Sequence, residues 1–136
     1  MKTAADTNPF IDVLAGIPID AEAARRALIL SAAAGSLSIS AVAYAELARR
    51  FPDQSELDIF LEEFSCDVRN VDRNAAFLAG RLFDEYRLRG GDKVRILADF
   101  LIAADALLYA DRLLTRDKRF FGSSFPNLNA VAPADL

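Results

Sequence analysis

ILADFLIAADALLYADRLLTRD, residues 96–117, joins the most apolar helical run of the chain to a short apolar strand that stops at an acid. Ile96 to Ala110 predicts a helix buried on most of its surface, and Arg112 to Thr115 predicts a strand. Asp99 stands inside the apolar run, where a carboxylate is costly unless a cation neutralises it or hydrogen bonds satisfy it. Asp117 comes directly after the strand, at the end where open parallel sheets place ligands.

The rest of the chain repeats this alternation. Strands are expected at Lys2 to Ala5, Leu37 to Ile39, Cys66 to Val71 and Leu128 to Val131. Between them lie helical segments: Phe10 to Ala15, Ala21 to Ala34 ended by Gly35, and Ala41 to Arg50 capped by Ser40. Pro52 stops the last of these, and Asp53 can cap a helix whose apolar positions are Leu57, Phe60, Leu61 and Phe64. Asp72 can cap another that runs to about Arg89 and is ended by Gly90-Gly91. Strands alternating with helices predict an α/β fold with a mostly parallel sheet between helical layers. No repeat, low-complexity segment or linker divides residues 1–136, so one domain is expected.

Composition narrows the chemistry. The apolar fraction of 53% and charged fraction of 26% are those of a globular chain. A net charge of −4 gives no overall basic footprint for duplex DNA. Local basic clusters occur at Arg87, Arg89, Lys93 and Arg95, and at Arg112, Arg116, Lys118 and Arg119; solvated surface is their ordinary explanation. With one cysteine, Cys66, no internal disulfide can form, and a reducing cytoplasm is the expected compartment. No signal peptide is expected from Met1 to Asp6, and no apolar stretch is long enough to span a bilayer. The absence of histidine excludes Ser-His-Asp and Cys-His pairs and disfavours zinc.

Carboxylates are what remain. Asp6 comes after the first strand, Glu46 lies among small and apolar residues, and Asp99 and Asp117 occupy the opening stretch. Each has an innocent alternative. Asp6 or Asn8 could cap the helix near Pro9, Glu46 could pair with Arg50, Asp99 with Arg95, and Asp117 could cap the Lys118 to Phe121 segment. Asp105 lies about 240° around its helix from Asp99, so it reads as peripheral or interfacial. Jointly, converging acids without histidine point to a hard divalent cation, Mg²⁺ or Mn²⁺, and to phosphoryl transfer. Thr7 and Asn8 could orient the ligands through hydrogen bonds.

These segments resemble the PIN-domain ribonucleases, and specifically the VapC toxins of toxin–antitoxin operons. The resemblance is carried by Ala5-Asp6-Thr7-Asn8, by residues 38–47, by residues 98–104 and by Leu113-Leu114-Thr115-Arg116-Asp117, in that order, and covers nearly the whole chain. It implies a PIN-like three-layer α/β/α fold on a five-stranded parallel sheet with strands one and four adjacent. It also implies Mg²⁺ or Mn²⁺ held by Asp6, Glu46, Asp99 and Asp117, with Thr7, Asn8, Ser40 and Thr115 in support. The implied activity is RNA cleavage by metal-activated water, blocked by a cognate VapB-type antitoxin, in a protein that commonly forms homodimers. Arg87, Arg89, Lys93, Arg95 and Arg116 are the candidates for guiding RNA. Helices 21–34 and 41–50 are the candidate partner surfaces, and the antitoxin is expected to insert an arginine near the acids. The first strand is poorer in Val, Ile and Leu than is usual in the family, and Pro9 and Asp105 also depart from its pattern. The alternatives are a PIN-fold binding module without nuclease activity, or another Mg²⁺-dependent phosphoryl enzyme such as a small phosphatase with a nucleophilic Asp6. The latter usually has a second acid where this chain has Asn8.

Overall fold

A computed structural model describes residues 1–136 except Lys93, so the part of the basic cluster that rests on Lys93 lies outside the described residues. Five strands, β1 (Lys2–Ala5), β2 (Ser36–Ser40), β3 (Cys66–Arg69), β4 (Arg112–Leu114) and β5 (Ala130–Val131), form one sheet in the order β3-β2-β1-β4-β5. Every pairing is parallel. The chain builds outward from β1 on one side and then returns to its other side, so the topological switch falls between β1 and β4. Strands one and four are neighbours, as the resemblance implied.

The helices are α1 (Asn8–Ala15), α2 (Pro18–Ala33), α3 (Ala41–Ala48), α4 (Gln54–Glu63), α5 (Arg73–Leu88), α6 (Leu97–Tyr109) and α7 (Lys118–Ser124), with a final 3-10 turn at Pro133–Asp135. Three of the expected caps form: Ser40, Asp53 and Asp72 accept from the amides of Ala43, Glu56 and Ala75. Gly35 acts differently from expectation. Ala34 ends α2 in a right-handed conformation, and Gly35 instead lets Met1 pass close by, since a Cβ there would collide with the Met1 carbonyl oxygen.

The small residues of β1 have a packing reason. Thr3, Ala4 and Ala5 are all buried, so both faces of the strand are covered. Both α2 and α6 pack on it. Ala24, Ala27, Ala103 and Ala106 are buried on those two helices, where short side chains permit close approach. Pro9 is accommodated at the start of α1, where its missing amide is no loss.

An aromatic cluster fixes the ends of α6 and α7. Phe100 packs edge-on against Tyr86, Phe120 and Phe125, and lies against Phe83. Because Asp99 precedes Phe100 and Asp117 precedes α7, this cluster sets where both carboxylates stand. Cys66 is a buried thiol whose pKa burial pushes up to about 12, which makes it a small core hydrophobe and no nucleophile.

Asp105 does not sit at the periphery as the helix geometry alone implied. It is 3% exposed, and its Oδ1 lies 2.9 Å from Arg69 Nε on β3. Helix α6 packs on the inner strands β1, β2 and β4, and Arg69 reaches Asp105 from the edge strand β3. Arg69 also donates to Ser38 Oγ and stacks on Tyr109. Among the described residues, no helix is long and apolar enough to cross a membrane.

Candidate metal and catalytic site

At the carboxyl ends of β1 and β4 the two strands part, and polar side chains fill the crotch. The Asp6 amide still bonds the Leu114 carbonyl at 2.9 Å, after which both chains turn away. The Asp6 carboxylate accepts from the Thr7 amide at 2.7 Å, from Thr115 Oγ1 at 2.8 Å and from Asn8 Nδ2 at 3.3 Å. Thr115 Oγ1 in turn accepts from the Asp117 amide at 3.0 Å, and Asn8 Oδ1 from the Arg116 amide at 2.8 Å. Asn8 and Thr115 thus tie the two strand ends together beneath Asp6.

The other acids close on the same place. Thr7 donates its hydroxyl to Glu46 Oε1 at 2.7 Å, across from the middle of α3. Glu46 therefore turns to the cleft rather than to Arg50. Asp99 stands at the third residue of α6, half-buried, with Oδ2 accepting from the Ile96 amide at 3.2 Å. Phe100, Ile102, Ala103 and Ala104, which follow it, face the core, whereas Ile96 and Leu97 before it are exposed and the helix N-terminus opens on the cleft. Asp117 pairs with Arg95 Nη1 at 2.6 Å, and it does not cap α7. Sequence proximity pairs Arg95 with Asp99; the fold gives it to Asp117 and lays its guanidinium on Phe120 at 3.8 Å.

Asp6, Glu46, Asp99 and Asp117 line one cleft of about 330 Å³ together with Thr7, Asn8, Ile11, Arg49 and Arg50. Of the four expected supports, Thr7, Asn8 and Thr115 are engaged here, whereas Ser40 caps α3 and lies outside the lining. Of the expected RNA guides, Arg95 adjoins the site through its pairing with Asp117, whereas Arg116 meets Asn8 only through its backbone amide and turns its guanidinium to Asp12. Arg87 lies on the face of Phe83, and Arg89 donates to the Ser124 carbonyl, so neither enters the lining. Arg49 and Arg50 do line it, although sequence reasoning does not select them; their only signal there is adjacency to Glu46 on one helix.

Electrostatically the cleft is under load. Burial pushes the Asp6 pKa up to about 6, and the charges of Glu46 and Asp99 add to the rise against the hydrogen bonds from Thr115 and Thr7. Asp99 is raised by burial and by Asp117, opposed by the Ile96 amide and Arg95. The donors are all oxygens and mutually repulsive, which suits a hard divalent cation by donor chemistry. Among the described residues no three of these acids stand close enough together to hold a metal ion, and each has a partner: Asp6 has Thr115, Glu46 has Thr7, Asp99 has the Ile96 amide and Asp117 has Arg95. By donor chemistry the residues fit the group, and ligation would require the acids to draw closer together than they stand here.

Comparison with known proteins agrees with the topology. A chain of the VapBC2 structure from Rickettsia felis bound to a DNA fragment from their promoter superposes with a TM-score of 0.76 at 22% identity, over 97% of this chain and 98% of that one. FitAcB from Neisseria gonorrhoeae gives a TM-score of 0.73 at 21% identity, over 98% and 99%. A toxin-antitoxin complex from Klebsiella pneumoniae gives 0.69 at 24% identity, over 96% and 97%. At such identities the likeness is one of fold. No curated protein sequence matches the chain. The family model of the PIN domain matches residues 4–122, a span that runs from β1 into α7 and takes in all four acids of the cleft; the chain belongs to the PIN-domain family.

Proposed function

We propose that this chain is a Mg²⁺- or Mn²⁺-dependent endoribonuclease, the VapC-type toxin of a toxin–antitoxin pair, built as one domain over residues 1–136. The observation that carries the reading is the convergence of Asp6, Glu46, Asp99 and Asp117 from four separate segments on one cleft at the β1/β4 switch. The similarity of the fold to chains from VapBC and toxin–antitoxin complexes supports the biological role.

In this reading the four carboxylates are the metal ligands. When bound, the cation supplies charge neutralisation at the backbone phosphate and an activated water. The chain's own residues prepare for it. Thr115 and the Thr7 amide fix both oxygens of Asp6, and the Thr7 hydroxyl holds Glu46 toward Asp6. Asn8 and Thr115 keep the β1 and β4 ends in register, so Asp6 and Asp117 cannot drift apart. Arg95 on Asp117 and Arg49 and Arg50 in the lining place positive charge beside the acids, which offsets the repulsion an approaching phosphate meets there.

The partners proposed are an RNA substrate, a VapB-type antitoxin and a second copy of the chain, in the cytoplasm. Exposed apolar residues support a docking role for α2, which shows Ile19, Ile29 and Leu30. No residue of α3 is among the exposed large hydrophobics; Phe77 and Leu88 of α5, Val94 and Ile96 of the connection after it, and Leu97 at the start of α6 are. The antitoxin arginine expected near the acids would meet a cation already at Asp117, that of Arg95.

Purified chain free of any partner should cut single-stranded RNA with Mg²⁺ or Mn²⁺ and stop when EDTA is added. Cleavage that persists in EDTA would sink the reading.

A further inference from the structure

The cationic residues around the cleft divide into those already engaged and those that are not. Arg95 is paired with Asp117, Arg116 with Asp12 at 2.5 Å, and Lys118 with Asp135. Arg89 is spent on the Ser124 carbonyl. Arg49 and Arg50, at the end of α3, are exposed and line the cleft. Among the described residues neither has an ion-pair partner, a side-chain hydrogen bond or an aromatic face beneath it.

That openness is not what the sequence dictates. Glu46 precedes Arg50 by one turn in the order that favours a helix-surface ion pair. The fold turns Glu46 to Thr7 instead, which leaves Arg50 unneutralised at the edge of an acidic cleft. Guanidinium groups from two consecutive residues lining a cleft rich in carboxylates suit a ligand that brings its own negative charges past the acids. Guanidinium groups bind phosphate oxygens in a fork, two hydrogen bonds at a time.

We infer that Arg49 and Arg50 form a clamp for the phosphodiester backbone of single-stranded RNA on the α3 wall of the cleft. The inference rests on the nuclease reading for its substrate class. It moves the main backbone contact away from Arg87 and Arg89, which the sequence put forward, to residues that the structure places at the acids.

The test measures binding of a short fluorescein-labelled single-stranded RNA by anisotropy, in EDTA, across a salt series. Arg49→Gln/Arg50→Gln is compared with the native chain and with Arg73→Gln/Arg81→Gln, which removes equal charge from α5. Losing two phosphate contacts should lower the slope of log K against log salt by about 1.4, at about 0.7 per contact on single strands. The α5 variant should keep the native slope. With Mg²⁺ added, the cleft variant should show a raised KM with kcat retained. An unchanged slope in the cleft variant, an equal fall in the α5 variant, or no RNA binding by the native chain would each overturn the clamp. RNA binding that depends on Arg49 and Arg50 without cleavage would sink the nuclease reading alone. Cleavage with an unaltered KM in the cleft variant would sink the clamp alone.

Discussion

Asp6 and Asp105 are both buried carboxylates, and burial raises the pKa of each, but the fold treats them in opposite ways. Asp105 has a cation at contact distance, Arg69, which opposes the rise and is itself stacked on Tyr109. Asp6 has hydroxyl and amide donors but no cation, and its charged neighbours, Glu46 and Asp99, make its position worse. A carboxylate that only holds structure is given its counter-charge by the chain. One left among other acids, satisfied only by hydrogen bonds, is poised for a charge from outside.

The strongest way to break this contrast is catalytic. Asp6→Asn or Asp99→Asn should lower RNA cleavage by at least ~10²-fold with the fold intact, on the scale seen when an electrostatic group of an active site is removed. Asp105→Asn should leave cleavage near the native rate. Initial rates on one RNA, with circular dichroism as the check on folding, decide it; equal losses at Asp99 and Asp105 would erase the distinction.

The next contrast is one of pH. In EDTA, Asp6 is protonated in the folded chain up to a pKa of about 6, whereas the unfolded carboxyl titrates near 3.8. Between those values the folded state holds the extra proton, so stability contributed by Asp6 is present at low pH and is lost as pH rises through 6. Asp6→Asn removes that dependence. Its stability relative to the native chain should improve by about 2.4 kcal/mol between pH 4 and pH 7, at about 1.36 kcal/mol for each pKa step, because the unfolded carboxyl is already partly ionised at pH 4. Urea melts at the two pH values measure it, and parallel pH profiles for the two proteins would contradict it.

The structural pair should respond to removal of one partner. Arg69→Met strands the Asp105 carboxylate and should cost about 2 kcal/mol, less than for a fully buried pair because Arg69 is partly exposed. Arg69→Met/Asp105→Leu should recover most of that loss, since an apolar pair avoids the desolvation cost. A double variant no more stable than Arg69→Met would show that the ion pair is not what the single change breaks.

The smallest effect expected is from the cation itself. Mg²⁺ at about ten times its Kd should add about 1.4 kcal/mol to the native chain by mass action, read as a rise in Tm. Asp99→Asn should reduce that rise, and Asp105→Asn should not.

What the sequence determined by itself is the order of elements and the places where acids fall on them. Alternation of short apolar runs with amphipathic stretches gives the β/α order, because side-chain periodicity is a local property of the backbone. Ser40, Asp53 and Asp72 could be read as caps because a cap bonds an amide three residues on. Asp6 and Asp117 could be read as cleft residues because both stand just past strand ends. Which charge meets which was decided only by the tertiary structure. Arg95 goes to Asp117 across 22 residues rather than to Asp99 one turn away, and Glu46 goes to Thr7 across 39 rather than to Arg50. Arg69 reaches Asp105 of α6 from the edge strand β3, and Arg49 and Arg50 reach the cleft because α3 ends there. Helical spacing describes only neighbours within one helix, whereas charges pair across elements according to how those elements pack.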